Sequence, residues 1–240
     1  ISGGELRLAL HRHGLFRRDA LSEITNLLRI RYVLSERVYY HHAKIACGVM
    51  ISKAVERALA GGMREEEFYA LTDDSLMPYL HHRYGDDRGL NALLKAIQGR
   101  RLYKRCYLLS RQVGEDEVKR LVGFYHEASD NERAAAEERI AEALDANRHE
   151  IAIYCSPEQM ALKEANMPVV PSPNTVERFS DINTAEIRVL KQQHRALWKF
   201  YVFAARRLAD RRQEAGRVCE EIIGLPNELP REMRGEVTGE

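Results

Sequence analysis

The sequence has no Gly-x-Gly-x-x-Gly turn, no Walker A loop, no Gly-x-Ser-x-Gly elbow and no His-Glu-x-x-His. Each of those spacings exists because its chemistry needs it, so dinucleotide binding, P-loop nucleotide hydrolysis, serine hydrolysis and zinc-peptidase chemistry lose their usual carriers. A His-Asp dipeptide is absent as well. No apolar run approaches the roughly 18 residues that cross a bilayer, so no membrane partner is expected. The opening Ile-Ser-Gly-Gly-Glu lacks the basic and apolar regions of a signal peptide, and it reads as the start of a domain fragment.

Charge of one sign is missing too. Lys plus Arg number 37 against 36 for Asp plus Glu, a formal net charge of +1. No overall field draws the chain to nucleic acid, and any anion binding must come from a local cluster. Cys47, Cys106, Cys155 and Cys219 form no Cys-x-x-Cys pair, which argues against a disulfide framework and a zinc knuckle. Free, mostly buried thiols fit a cytoplasmic protein.

What is present, 45% hydrophobic and 30% charged residues, belongs to an ordinary globular chain. Residues 5–10 alternate as a strand does, and the Gly14 region can turn back into a partner. From Asp19 the period becomes helical, with Leu21, Ile24, Leu27 and Leu28 on one side. A second helix is predicted over 34–60, ended by Gly61-Gly62, and others from Thr72 and over 90–98. Pro78 should fall near a first turn.

Beyond residue 100, strands are predicted at 101–109, 150–155 and 196–204, the last with a pattern that a helix would also satisfy, and helices from Asp116, from a Ser129 capping box to about Ala146, from Ser156-Pro157 and from Arg206 to Gly224. A further capping box is read at Asn183–Glu186, and Met167–Pro173 reads as loop. The fold class expected is mainly α, a helical domain over 1–110 followed by a small α+β lobe over 111–240.

The nine histidines include three close pairs, His11/His13, His41/His42 and His81/His82. Adjacent residues on a helix point about 100° apart, which makes the last two pairs poor chelators. His11 and His13 share a strand face but have no third ligand to name, so no metal site is assigned to this chain.

Residues Arg31-Tyr-Val-Leu-Ser-Glu-Arg37-Val-Tyr39-Tyr40-His41-His-Ala-Lys44 set two arginines, three tyrosines and two histidines around a helix start. Guanidinium groups suit phosphate oxygens, and rings suit a sugar or base. The alternative is a cation–aromatic helix start that only packs.

This string resembles that of the HD-domain dNTP triphosphohydrolases, where Arg-Tyr-x-(apolar)-x-x-Arg-Val-Tyr-x-His follows the last metal ligand. Leu71-Thr-Asp-Asp-Ser-Leu76 and Gly99-Arg-Arg-Leu-Tyr-Lys-Arg105 extend the likeness in the same order. It is strong over 19–110 and weak over 111–225.

The resemblance implies a helical HD-domain remnant and a phosphohydrolase acting on nucleotides, with (deoxy)nucleoside triphosphates as the substrates. A His…His-Asp…Asp set binds a divalent metal that activates water; by resemblance that set precedes residue 1, leaving this fragment inactive alone. Arg31 then matches a phosphate-contacting arginine, Tyr39 a pocket-lining tyrosine, and Tyr40 stands where a relative has a base-reading glutamine. Arg37 and His41 match effector-binding positions near a subunit interface, which implies a homo-oligomer.

Two other readings stand beside it. One is a non-catalytic binding or oligomerisation module from a divergent HD relative. The other, a nucleic-acid binder using Arg100, Arg101, Lys104 and Arg105, is the weaker, because such a strip is more often a solvated face. The run Trp198–Phe203 is read as core before interface.

Overall fold

The computed structural model describes residues 6–127, 130–160, 163–182 and 184–230. In chain order it contains β1 (Leu8–Ala9), β2 (His11–Arg12), β3 (Leu15–Phe16), α1 (Arg18–Leu34), a π turn (Ser35–Tyr39) and α2 (His42–Ala60). Next come α3 (Glu65–Tyr69), α4 (Asp73–Tyr84), α5 (Arg88–Gln98), β4 (Lys104–Ser110), α6 (Glu115–Val122), a second π turn (Gly123–Glu127) and α7 (Asp130–Ala143). The last elements are β5 (Ile151–Cys155), β6 (Pro168–Ser172), β7 (Thr175–Arg178), α8 (Ala185–Arg195), β8 (Lys199–Ala204) and α9 (Arg212–Ile223). The fold is mainly α with a small α+β part, as expected.

Two compact units form, one from residues 1–40 with 157–198 and one from 41–156 with 199–240. The boundary expected at 110/111 falls at the end of β4, inside the second unit.

In the first unit, β2 and β3 make a two-residue hairpin, His11 opposite Phe16 and Arg12 opposite Leu15. His13 (φ 52°) and Gly14 (φ 76°) both take positive φ, which matches the twist of the flanking strands. β1 pairs parallel with β6, and β6 pairs antiparallel with β7. The loop expected over 167–173 is therefore a strand. Pro168 opens it and Pro171 sits where the β6–β7 register shifts, positions where a missing N–H is tolerated.

Leu10, Leu28, Val169, Phe179, Ile187 and Leu190 form this unit's core, with Leu21 and Ile24 packed against it. Leu27, expected on the same side, is 54% exposed. Residues 21, 24 and 28 make the seam at i, i+3 and i+7, which turns 27, 30 and 34 to another face. Thr184 caps α8 by accepting from the Ile187 N–H at 3.3 Å; the rest of the expected capping box includes Asn183, outside the described residues.

In the second unit, α2 buries Ile45, Ala46, Met50, Ala54 and Ala58 against Leu90, Leu93 and Leu94 of α5. The second helix begins at His42 rather than 34. The Tyr40 N–H reaches back to the Ser35 carbonyl at 2.8 Å, a π-type bond, and His41 then leaves helical geometry with ψ 132°. The Nδ1 of His41 accepts from the Ala43 N–H at 3.3 Å and caps the new helix.

Pro78 lies deeper in α4 than expected, and its missing N–H leaves the carbonyl of Asp74 without its helical donor. Asp87 caps α5 through the Leu90 N–H at 2.7 Å and holds Arg57 through both carboxylate oxygens at 2.8 and 2.7 Å. Gly89 permits this. A Cβ there would stand 2.7 Å from the Arg57 guanidinium carbon.

The sheet runs β4-β8-β5, antiparallel throughout, with β8 central. Phe200, Val202 and Phe203 are fully buried, so the aromatic run is core. The helix expected after Ser156 does not form among the described residues. The Ser156 N–H donates to the Lys199 carbonyl at 3.0 Å and its Oγ accepts from the Lys199 N–H at 3.2 Å, which extends the ladder instead. α7 closes at Ala143, and the Ser129 end of its expected capping box lies outside the described residues. α9 ends in Gly224 at φ 81°, the left-handed conformation that favours glycine.

Candidate functional site

The predicted site residues fall on one continuous stretch. Arg31 lies in the last turn of α1 and Arg37 in the π turn, both exposed. Tyr39 closes the π turn 49% exposed, and Tyr40 comes next, half-buried. A π turn widens the helix by one residue and re-aims the side chains after it, so Tyr39 and Tyr40 are not where an unbroken helix would place them. Tyr32, one turn earlier, donates its hydroxyl to Glu36 at 2.9 Å and braces the turn. His41 spends its Nδ1 on the cap of α2. That leaves Nε2 for a ligand.

His42 stands beside His41 with ring centroids 4.3 Å apart. Burial pushes its imidazole down to about 4, and Arg105, His41 and Lys104 add to the effect. It is therefore neutral at pH 7. Among the described residues no three His, Cys, Asp or Glu side chains come together in a way that could hold a metal ion. These donors do not fit the divalent metal of an HD ligand set. Burial also pushes the Cys155 thiol up to about 12, which keeps it protonated and unreactive.

The second unit holds an ionic centre that sequence reading missed. Lys53 and Glu137 pair at 2.6 Å deep inside. The other Glu137 oxygen accepts the Ile153 N–H at 2.9 Å, which ties α7 to β5. Burial pushes the ammonium down and the carboxyl up, and their mutual attraction opposes both shifts. The signal lay in the periodicity: Lys53 sits within the apolar stripe of α2 next to Ala54, and Glu137 beside Ala136 and Ile140 on the buried face of α7. A charge on a core stripe needs a partner.

A cleft of about 550 Å³ opens beside this pair, lined by Lys53, Glu56, Arg57, Asp87, Arg148 and His149. Its cations are matched: Arg57 by Asp87, Lys53 by Glu137 and, at 3.9 Å, Arg148 by the same Glu137, while Glu56 is held from outside the lining by Arg133 at 2.7 Å. Burial lowers the His149 pKa, so a neutral ring faces these pairs.

The basic strip at 100–105 does not form a single face. Arg101 folds back to the Lys95 carbonyl at 3.3 Å, and the Arg105 guanidinium carbon lies 5.7 Å from the Tyr201 ring centroid. No helix among the described residues is long and apolar enough to cross a membrane.

A phosphohydrolase from Bacteroides thetaiotaomicron, solved at 2.20 Å, is similar at 15% identity with a TM-score of 0.48. The match covers 80% of this chain and 52% of that protein, so the chain spans about half its length. No curated protein matches the chain. A family model described as the HD associated region matches residues 13–232. That span takes in both units, from the β2–β3 hairpin to the segment beyond α9, and the chain belongs to the family of HD associated regions.

Proposed function

We propose that this chain serves an HD-family phosphohydrolase acting on nucleotides, with (deoxy)nucleoside triphosphates as the substrate class. Its own part is a wall of the substrate pocket and a surface for self-association. The observation that carries the nucleotide reading is the placement of Arg31, Arg37 and Tyr39, all exposed, on one helix end and π turn, with half-buried Tyr40 next in the chain. A fixed cation beside aromatic rings is the combination that phosphate and base together select.

In this reading Arg31 binds substrate phosphate oxygens, Tyr39 packs against the sugar and Tyr40 meets the base. Arg37 and the free Nε2 of His41 take an activating nucleotide. A divalent metal of the HD type would need ligands beyond the described residues, whose donors do not fit one. Accordingly no step of hydrolysis is assigned to a residue of this chain. Self-association is supported by Leu27, Ile30 and Leu34, an exposed apolar row on α1 that also flanks Arg31 at i+4 from Leu27.

The test is equilibrium binding of dATP to the chain and to Arg31→Ala, with turnover measured in a protein that also carries the HD ligands. Loss of one charge-assisted contact should weaken binding about tenfold and cut turnover. Unchanged binding and unchanged turnover would remove Arg31 from the site and the nucleotide reading with it.

A further inference from the structure

The three-stranded sheet of the second unit has one end where β4 and β5 begin and β8 finishes, because β8 runs antiparallel to both neighbours. Three connections meet there: the α5–β4 link with Arg101, the turn into β5 with His149 and Glu150, and the exit from β8 with Arg206 and Arg207. With Lys95 and the small residues Ala92, Ala96 and Ala205 they line a cleft of about 520 Å³. It lies within the second unit and shares none of the residues assigned to nucleotide binding above.

The charge in this cleft is one-sided. Four cations, Lys95, Arg101, Arg206 and Arg207, face one carboxylate, Glu150. Glu150 is committed elsewhere: both its oxygens bind Arg207, and it also accepts the Asn147 N–H at 2.9 Å. Burial alone would raise its pKa, but the bonds from Arg207 and Asn147 outweigh that and hold the carboxyl down to about 2. It neutralises Arg207 and nothing more. The Lys95 and Arg206 side chains make no ion pair or hydrogen bond among the described residues.

Arg101 is exposed and folds back along the end of α5. Its Nη2 donates to the Lys95 carbonyl at 3.3 Å, and the guanidinium lies over Gly99, where a Cβ would come within 3.1 Å of Nη1. One terminal bond leaves the remaining N–H groups of the fork for another acceptor. The 550 Å³ cleft makes the contrast, since its cations Arg57, Lys53 and Arg148 have carboxylate partners in Asp87 and Glu137.

From this arrangement we infer that the cleft formed by Lys95, Arg101 and Arg206 is a second binding site, for a small phosphate-bearing ligand. Three cations without carboxylates, converging on a concave surface, match the charge and the acceptor number of a diphosphate group. The ring of Tyr103 is fixed at the cleft by donating its hydroxyl to the His149 carbonyl at 2.6 Å, and with the three alanines it offers an apolar wall for the body that carries the phosphate. This goes beyond the nucleotide reading of 31–41 and does not depend on it.

The experiment titrates inorganic pyrophosphate into the 240-residue chain at fixed ionic strength, by calorimetry and by amide chemical shifts. Saturable one-to-one binding is expected, with shifts at Gly99, Ala205 and Arg206. Lys95→Gln and Arg206→Gln should each weaken it about tenfold. Gly99→Ala, whose Cβ would crowd both the Arg101 guanidinium and the Lys95 carbonyl that holds it, without changing charge, should weaken it too. Lys119→Gln, an equal loss of charge on the exposed face of α6, should leave it unchanged. The substituted lysines and Arg206 are exposed, so these variants keep the fold, which circular dichroism verifies. No saturable binding, equal weakening by Lys119→Gln, or shifts confined to 31–40 would overturn the assignment.

Discussion

Lys53 and Glu137, 84 positions apart, meet at 2.6 Å with 6% and 3% of their side chains exposed. The pair links α2 to α7 and, through the Ile153 N–H, to β5.

Breaking the pair from the lysine side leaves a buried carboxylate with the Ile153 N–H and a more distant Arg148, at 3.9 Å, to face it. Lys53→Met should destabilise the chain by about 3–5 kcal/mol. The double replacement Lys53→Met/Glu137→Leu should recover much of that loss, since two desolvation costs disappear together. Denaturant midpoints of the three proteins check this, and equal stability of the single and double variants would contradict it.

Acid should weaken the fold in two steps of the same sign. The imidazole of His42 sits at about 4 against an ordinary 6.5, so the unfolded chain takes up the proton first. Its contribution is present above 6.5 and is lost as pH falls from 6.5 to 4. The carboxyl of Glu150 sits at about 2 against 4.5, and its contribution is lost as pH falls from 4.5 to 2. Unfolding midpoints between about pH 7 and 4 should slope downward in the wild type and run flatter in His42→Gln. Identical slopes would show that His42 carries no such linkage.

Much of this architecture was legible in the residues. Alternation gave β4, β-branched content gave β5, apolar and aromatic content gave β8, and Gly61 and Gly224 gave helix ends, while the turn expected at Gly14 joins 11–12 to 15–16 rather than returning the whole stretch 5–10. The failures have local causes. Nothing in the periodicity of 34–60 marks a π turn, because an inserted residue leaves hydrophobic spacing intact on either side of it. Ser156-Pro157 carries a helix-start signature, but ladder bonds to Lys199 took its backbone and hydroxyl first. Prolines hid β6, whose partner β1 lies some 160 positions away in sequence. For the candidate site, sequence supplied the residues 31–41 but not the turn that orients them. The cleft around Lys95 and Arg206 was beyond reach, since its lining comes from three separated connections.

Asn227 fastens the segment beyond α9 to the sheet. Its side chain donates to the Cys106 carbonyl at 2.9 Å and accepts from the N–H groups of Leu108 and Leu229 at 3.1 and 3.0 Å. Asn227→Ala removes three backbone hydrogen bonds, two of them buried, and should cost about 2 kcal/mol or more. Hydrogen exchange at the Leu108 amide should rise with it, and protection equal to wild type would mean that water replaces the side chain.

The exposed row on α1 should control assembly. If Leu27, Ile30 and Leu34 join copies of the chain, Leu27→Asp with Ile30→Asp should give a smaller species in sedimentation at equal concentration, with helix content kept. A species of unchanged mass would release this face from that role.

The strand β8 lies between β4 and β5 yet is the last of the three to be synthesised. A ribosome that has released Cys155 has delivered both outer strands of the sheet and not the strand that pairs with each of them. Forty-odd residues of the other unit must emerge before the middle strand does. Until then the nascent chain carries two strand edges with no partner of their own, the condition in which a chain is most open to pairing with a neighbour or to capture by a chaperone.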